Sequence, residues 1–174
     1  KIEDFDGEMY SYAQLVNISL VTDDIFQANE YYNKASILYD SVKKTSDVVK
    51  SSYFQRNYSY IFLLFGQKYF LKNEFDNALD YLNESKDLMS QFPDELPLID
   101  SMISKCFLGL KDYKKAEITA IKNLSRESLS TDQKKDNYSV LESVYSLTGD
   151  MDNLIRVKDS LIKMNGIINT SNIR

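Results

Sequence analysis

The sequence predicts an all-α fold, and three observations carry that prediction. Apolar residues recur at three- and four-residue spacing, as in Leu79, Leu82, Leu88 and Met89 or Leu141, Val144, Tyr145 and Leu147, the period of a helix with one buried face. No stretch sustains the two-residue alternation of a half-buried strand. The only prolines, Pro93 and Pro97, share one short segment, where one helix ends and another begins.

Taken in order, the helices come as a returning two-helix unit. The first copy places Tyr12, Leu15, Val16 and Ser19 on its leading helix (helix A) and Ala28, Tyr32 and Ala35 on its second (helix B). The second copy keeps that spacing with Phe62, Phe65, Gly66 and Tyr69, then Ala78, Leu82 and Ser85. A third ends helix A with Cys106, Phe107, Leu108 and Gly109, turns at Lys111 and Asp112, and continues to Ala116 and Ala120. The fourth carries Tyr138, Leu141 and Tyr145, turns at Gly149, and has Leu154 where the others have alanine.

Each alanine is a notch, because two antiparallel helices approach closely only where one offers a small side chain to the bulk of the other. Asp24, Glu74, Asp112 and Asp150 all fall at the start of helix B, where a carboxylate complements unpaired backbone N–H groups and the helix dipole. Gly149 supplies a permissive backbone for the A-to-B turn, while Asn73 and Lys111 occupy the same place less readily. Anchor positions 28, 78, 116 and 154 stand 50, 38 and 38 residues apart. The long first interval predicts that helix B of the first copy and helix A of the second are both extended, making residues 36–60 a long helical hairpin. Ser130 and Gln133 form a capping box that opens the seventh helix after a loop at 126–130. The last residues, 166–174, lack a periodic apolar face and are expected to be a flexible tail or a linker to a missing region.

This pattern of large, large, small, aromatic, then alanine, large, small resembles the tetratricopeptide repeat. The resemblance implies a right-handed α-α superhelix of about four helix hairpins over residues 9–165, with residues 1–8 as an N-terminal flank, in one continuous unit. It further implies a protein-interaction module whose helix A faces line a concave groove, with Asn17, Tyr60, Gln67, Ser101, Lys105, Ser139 and Ser143 projecting into it to bind a protein or peptide. Family members that grip a terminal carboxylate use several converging Lys, Arg and Asn residues. Only Lys105 and Asn17 are of that type here, so such a clamp is not expected. The end of the fourth copy, from Gly149 to Leu161, is similar to the last repeats of bacterial sensor proteins, in which the array precedes a histidine kinase or a helix-turn-helix regulator. The expected role is therefore the input region of a larger signal-transducing protein, with a structural adaptor or scaffold as the alternative.

Composition limits the chemistry. The 174 residues include no His and one Cys, which excludes Ser-His-Asp and Cys-His nucleophiles and any zinc site needing His or a second Cys. Cys106 lies in an apolar stretch beside Phe107 and reads as a small buried hydrophobe. Carboxylate pairs such as Asp23 and Asp24 fall at helix starts and lack the ligand spacing of a calcium loop. Neither an enzyme nor a cofactor or metal site is expected. Residues 1–40 hold two basic side chains against eight acidic ones, and the lysine pairs elsewhere are diluted by acids, so direct nucleic-acid binding is not expected. The longest apolar run, Ile61 to Phe65, is too short to span a membrane. Self-association remains open, and a single thiol gives no indication of compartment, cytoplasmic or periplasmic. The first residues, Lys1, Ile2 and Glu3, have the look of a piece cut from a longer protein.

Overall fold

Four pairs of helices follow one another in a computed structural model that describes residues 4–45, 52–127 and 129–171. They are α1 (Phe5–Val21), α2 (Ile25–Thr45), α3 (Ser52–Leu71), α4 (Phe75–Leu88), α5 (Leu96–Gly109), α6 (Tyr113–Leu124), α7 (Thr131–Thr148) and α8 (Met151–Ser171). No strand occurs among the described residues, so the fold is all-α. The extension expected between the first two alanine anchors lies in α2 and α3, with 21 and 20 residues, against 14, 14 and 12 in α4, α5 and α6. Of the expected long hairpin, residues 46–51 lie outside the described residues.

The chain divides into two compact units, Lys1–Phe92 and Pro93–Arg174, where the repeat pattern implied one continuous body. In the first unit α1 packs on α2, α3 on α4, and α3 also against α1 and α2. In the second, α5 packs on α6 and α7 on α8, and α7 also meets α5 and α6.

One device makes all four hairpins. The residue after the last turn of helix A adopts a left-handed conformation, with φ of 63° at Asp23, 60° at Asn73, 61° at Lys111 and 77° at Gly149. The next backbone N–H then reaches back to a carbonyl five residues earlier: Asp24 to Ser19 at 2.8 Å, Glu74 to Tyr69 at 3.0 Å, Asp112 to Phe107 at 2.9 Å and Asp150 to Tyr145 at 3.0 Å. That is a Schellman closure, which satisfies carbonyls otherwise orphaned at the helix end. The same acidic residue opens helix B. Asp24, Asp112 and Asp150 accept from the N–H groups of Gln27, Lys115 and Asn153 at 2.9, 3.1 and 3.2 Å, whereas Glu74 is too long for that bond and instead accepts from the Asn77 side chain at 2.8 Å. Ala28, Ala78 and Ala116 are fully buried at the notch, and Leu154 replaces them in the fourth pair at 7 % exposure.

Both ends are more helical than their sequences suggested. Asp4 caps α1 by accepting from the Gly7 N–H at 2.9 Å, so residues 5–8 of the expected flank are helix. At the other end α8 runs to Ser171 through residues assigned to a flexible tail; Leu154 and Val157 anchor its start in the core, and propagation then adds one hydrogen bond per residue without needing an apolar face.

Candidate functional site

The first unit brings two of the expected partner-binding residues together. Asn17 of α1 and Gln67 of α3 line one open concavity of about 330 Å³, over a floor of the buried Leu20 and Leu64, with the exposed Leu71 beside them. On α3, positions 60, 64, 67 and 71 share one helix face, so Tyr60, 36 % exposed, stands one turn ahead of Leu64 on it without lining the concavity. The repeat frame placed the amides but missed the apolar floor.

It also missed Lys68. The Lys68 ammonium lies at the concavity's edge, donates to the Leu20 carbonyl at 2.8 Å and pairs with Asp23 at 2.8 Å. That contact neutralises carbonyl charge at the end of α1 and helps hold Asp23 in its left-handed turn. A hydrogen bond from Lys68, with the charges of Lys68 and Lys72 behind it, keeps the Asp23 carboxyl below the usual carboxylate range. The lysine being so engaged, the concavity presents neutral amides and apolar surface.

In the second unit the expected residues are held by the helices' own packing and bonding. Ser101 of α5 is buried at 3 % exposure, and its Oγ is buried with no hydrogen-bond partner; it is a packing residue there, because its helix turns that side onto α6 and α7. Lys105 reaches across to Asp136 of α7 at 3.0 Å, so it ties two helices together and is not a free cation. Ser139 and Ser143 sit one turn apart on α7, and their hydroxyls donate to the carbonyls four residues back, Lys135 and Ser139, both at 3.0 Å. The periodicity placed these residues on helix A correctly, but spacing alone does not say how far neighbouring helices close over them.

Cys106 is fully buried, and burial pushes its thiol up to about 12, the reverse of an activated nucleophile. Among the described residues no three His, Cys, Asp or Glu side chains gather to hold a metal, and no helix is long and apolar enough to cross a membrane.

No protein-family model matches the chain, and no curated protein does. Among solved structures the chain is similar to the crystal structure of BtubC (BKLC) from P. vanneervenii, with 13 % identity over 96 % of this chain and 93 % of that one and a TM-score of 0.33. At that score the likeness bears neither on fold nor on function.

Proposed function

We propose that the chain is a tetratricopeptide-like interaction module whose helix A faces bind a protein or peptide. The observation that carries this reading is the fourfold recurrence of one hairpin device: left-handed residue, Schellman closure, acidic helix start and small or aliphatic anchor at a constant offset. Each hairpin leaves an apolar face that only a neighbour can cover, which is the logic of a repeat scaffold. On the first unit the binding face is the Asn17 and Gln67 concavity, whose amides can donate to and accept from a peptide backbone while Leu64 and Leu71 take an apolar side chain.

Selection of a random peptide library on the immobilised chain tests this. Enriched peptides should bind saturably and shift the backbone amides of residues 17–21 and 64–71, and Asn17→Ala with Gln67→Ala should weaken them about tenfold. Failure to enrich any family, or shifts confined to other helices, would remove the proposal. Within that role we favour the input region of a bacterial regulatory protein over a structural adaptor, on the resemblance of the segment from Gly149 to Leu161. The coding sequence after Arg174 decides between them: a kinase or helix-turn-helix motif supports the input region, and further helix pairs to the stop codon support the adaptor.

A further inference from the structure

A second concavity in the first unit, of about 600 Å³, lies where α4 meets α2 and α3 and shares no residue with the one above. Its walls are aromatic: Tyr32 from α2, Tyr58 and Phe62 from α3, and Tyr81 from α4. Phe62 meets Tyr32 and Tyr58 edge-on, with centroids 5.5 and 5.2 Å apart, and Tyr81 stacks on Phe65 at 5.1 Å. Rings packed on rings give the walls little freedom to lose when a guest enters. The rim is acidic. Asp80 and Glu84 stand four residues apart on α4, hence on one face, with Asn83 between them. Both are exposed, neither is held by an ion pair among the described residues, and no basic residue lines the cavity.

An aromatic wall below paired carboxylates asks for a cation, and the details choose among cations. The two rim carboxylates only accept hydrogen bonds, so a guest that brings several N–H donors matches them best. A quaternary ammonium has none. A lysine ammonium has three but is strongly hydrated, whereas a guanidinium is flat, weakly hydrated and forked to match carboxylates. Burial pushes the Tyr58 phenol up to about 12 and raises that of Tyr81 as well.

We propose that this aromatic and acidic concavity receives an arginine side chain presented by a partner protein. That the arginine arrives on a protein rests on the interaction-module reading; the site itself rests only on the first unit's packing. The test titrates the isotopically labelled full chain with N-acetyl-arginine methylamide, its citrulline counterpart, its lysine counterpart and tetramethylammonium. The arginine compound should give saturable shifts at residues 58–62 and 80–84. Citrulline, equal in shape but neutral, should give none, and lysine and tetramethylammonium should bind more weakly. The double variant Asp80→Asn, Glu84→Gln, with unchanged circular dichroism, should weaken the arginine compound about tenfold, and raised salt should weaken it further. Equal binding of citrulline, tighter binding of tetramethylammonium, or shifts confined to other residues would overturn the site. A peptide from the library selection that keeps its affinity when its arginines become lysines would overturn the assignment to a partner's arginine while leaving the interaction module standing.

Discussion

The first unit fills its centre with rings: Tyr32, Tyr39, Phe54, Tyr58, Phe62, Phe65 and Tyr81 form a chain of stacked, edge-on and tilted contacts from 4.2 to 6.3 Å. The second unit packs Val140, Leu141, Val144, Leu154 and Val157 around Ala116 and Ala120 and buries a polar network beside them. There Arg126 pairs with Asp100 at 2.8 Å, and the Asn123 amide donates to the Pro97 carbonyl at 2.9 Å and to the Asn137 side-chain oxygen at 3.2 Å. The contrast is sharpest at one equivalent place. Ser85 and Asn123 both lie seven residues after their alanine notch, and each bonds a residue 26 positions earlier: Ser85 the Ser59 carbonyl at 3.1 Å, Asn123 that of Pro97. One hairpin geometry thus accepts a serine pair or an amide bridge.

The comparison can be broken at its strongest point first. Phe65 is fully buried at the meeting of Tyr32 and Tyr81, so Phe65→Ala should cost about 3–5 kcal/mol; urea denaturation of the full chain should show the first unit unfolding early while the second keeps its transition. A loss below 1 kcal/mol would mean that the ring chain is decoration. In the second unit, Arg126→Met leaves Asp100, whose side chain is 3 % exposed, without its guanidinium and should cost about 3 kcal/mol, while the double variant with Asp100→Leu should recover most of that loss. Denaturation midpoints of the single and double variants check it.

Smaller effects separate the equivalent positions. Ser59→Ala removes the hydroxyl that meets the Ser85 hydroxyl at 2.9 Å, while the Ser85 hydroxyl keeps the Ser59 carbonyl, and should cost about 1 kcal/mol; adding Ser85→Ala should then cost less than Ser85→Ala does alone, and equal costs would argue against a coupled pair. Smallest are the turns. Lys111 holds a φ of 61° that glycine adopts freely, so Lys111→Gly should stabilise the second unit by about 0.5–1 kcal/mol, and Gly149→Ala at φ 77° should cost about 1 kcal/mol. Thermal unfolding of both variants, moving in opposite directions, is the check.

Much of this was legible in the residues themselves. Ala28, Ala78 and Ala116 at constant offset from Asp24, Glu74 and Asp112 announced the hairpins, and Ser130 with Gln133 announced the seventh helix, because notches, caps and turns are decided by neighbours in sequence. Gly149 and Asn73 marked their turns; Asp23 did not, because its strained backbone is held by Lys68, 45 residues away in a different helix. Asn17 and Gln67 came from the same periodicity, and both line the concavity between α1 and α3.

What the sequence alone determined is the local part: helical class and the hairpin register, both of which follow from spacing over a few turns. The tertiary structure alone decided the rest. It buried Ser101, engaged Lys105 with Asp136 and Lys68 with Asp23, divided the chain after Phe92, and set the aromatic walls of Tyr32, Tyr58 and Tyr81 beneath Asp80 and Glu84. Those outcomes depend on which residues distant in sequence come within a few ångströms, and a one-dimensional period carries no information about how tightly two helices close.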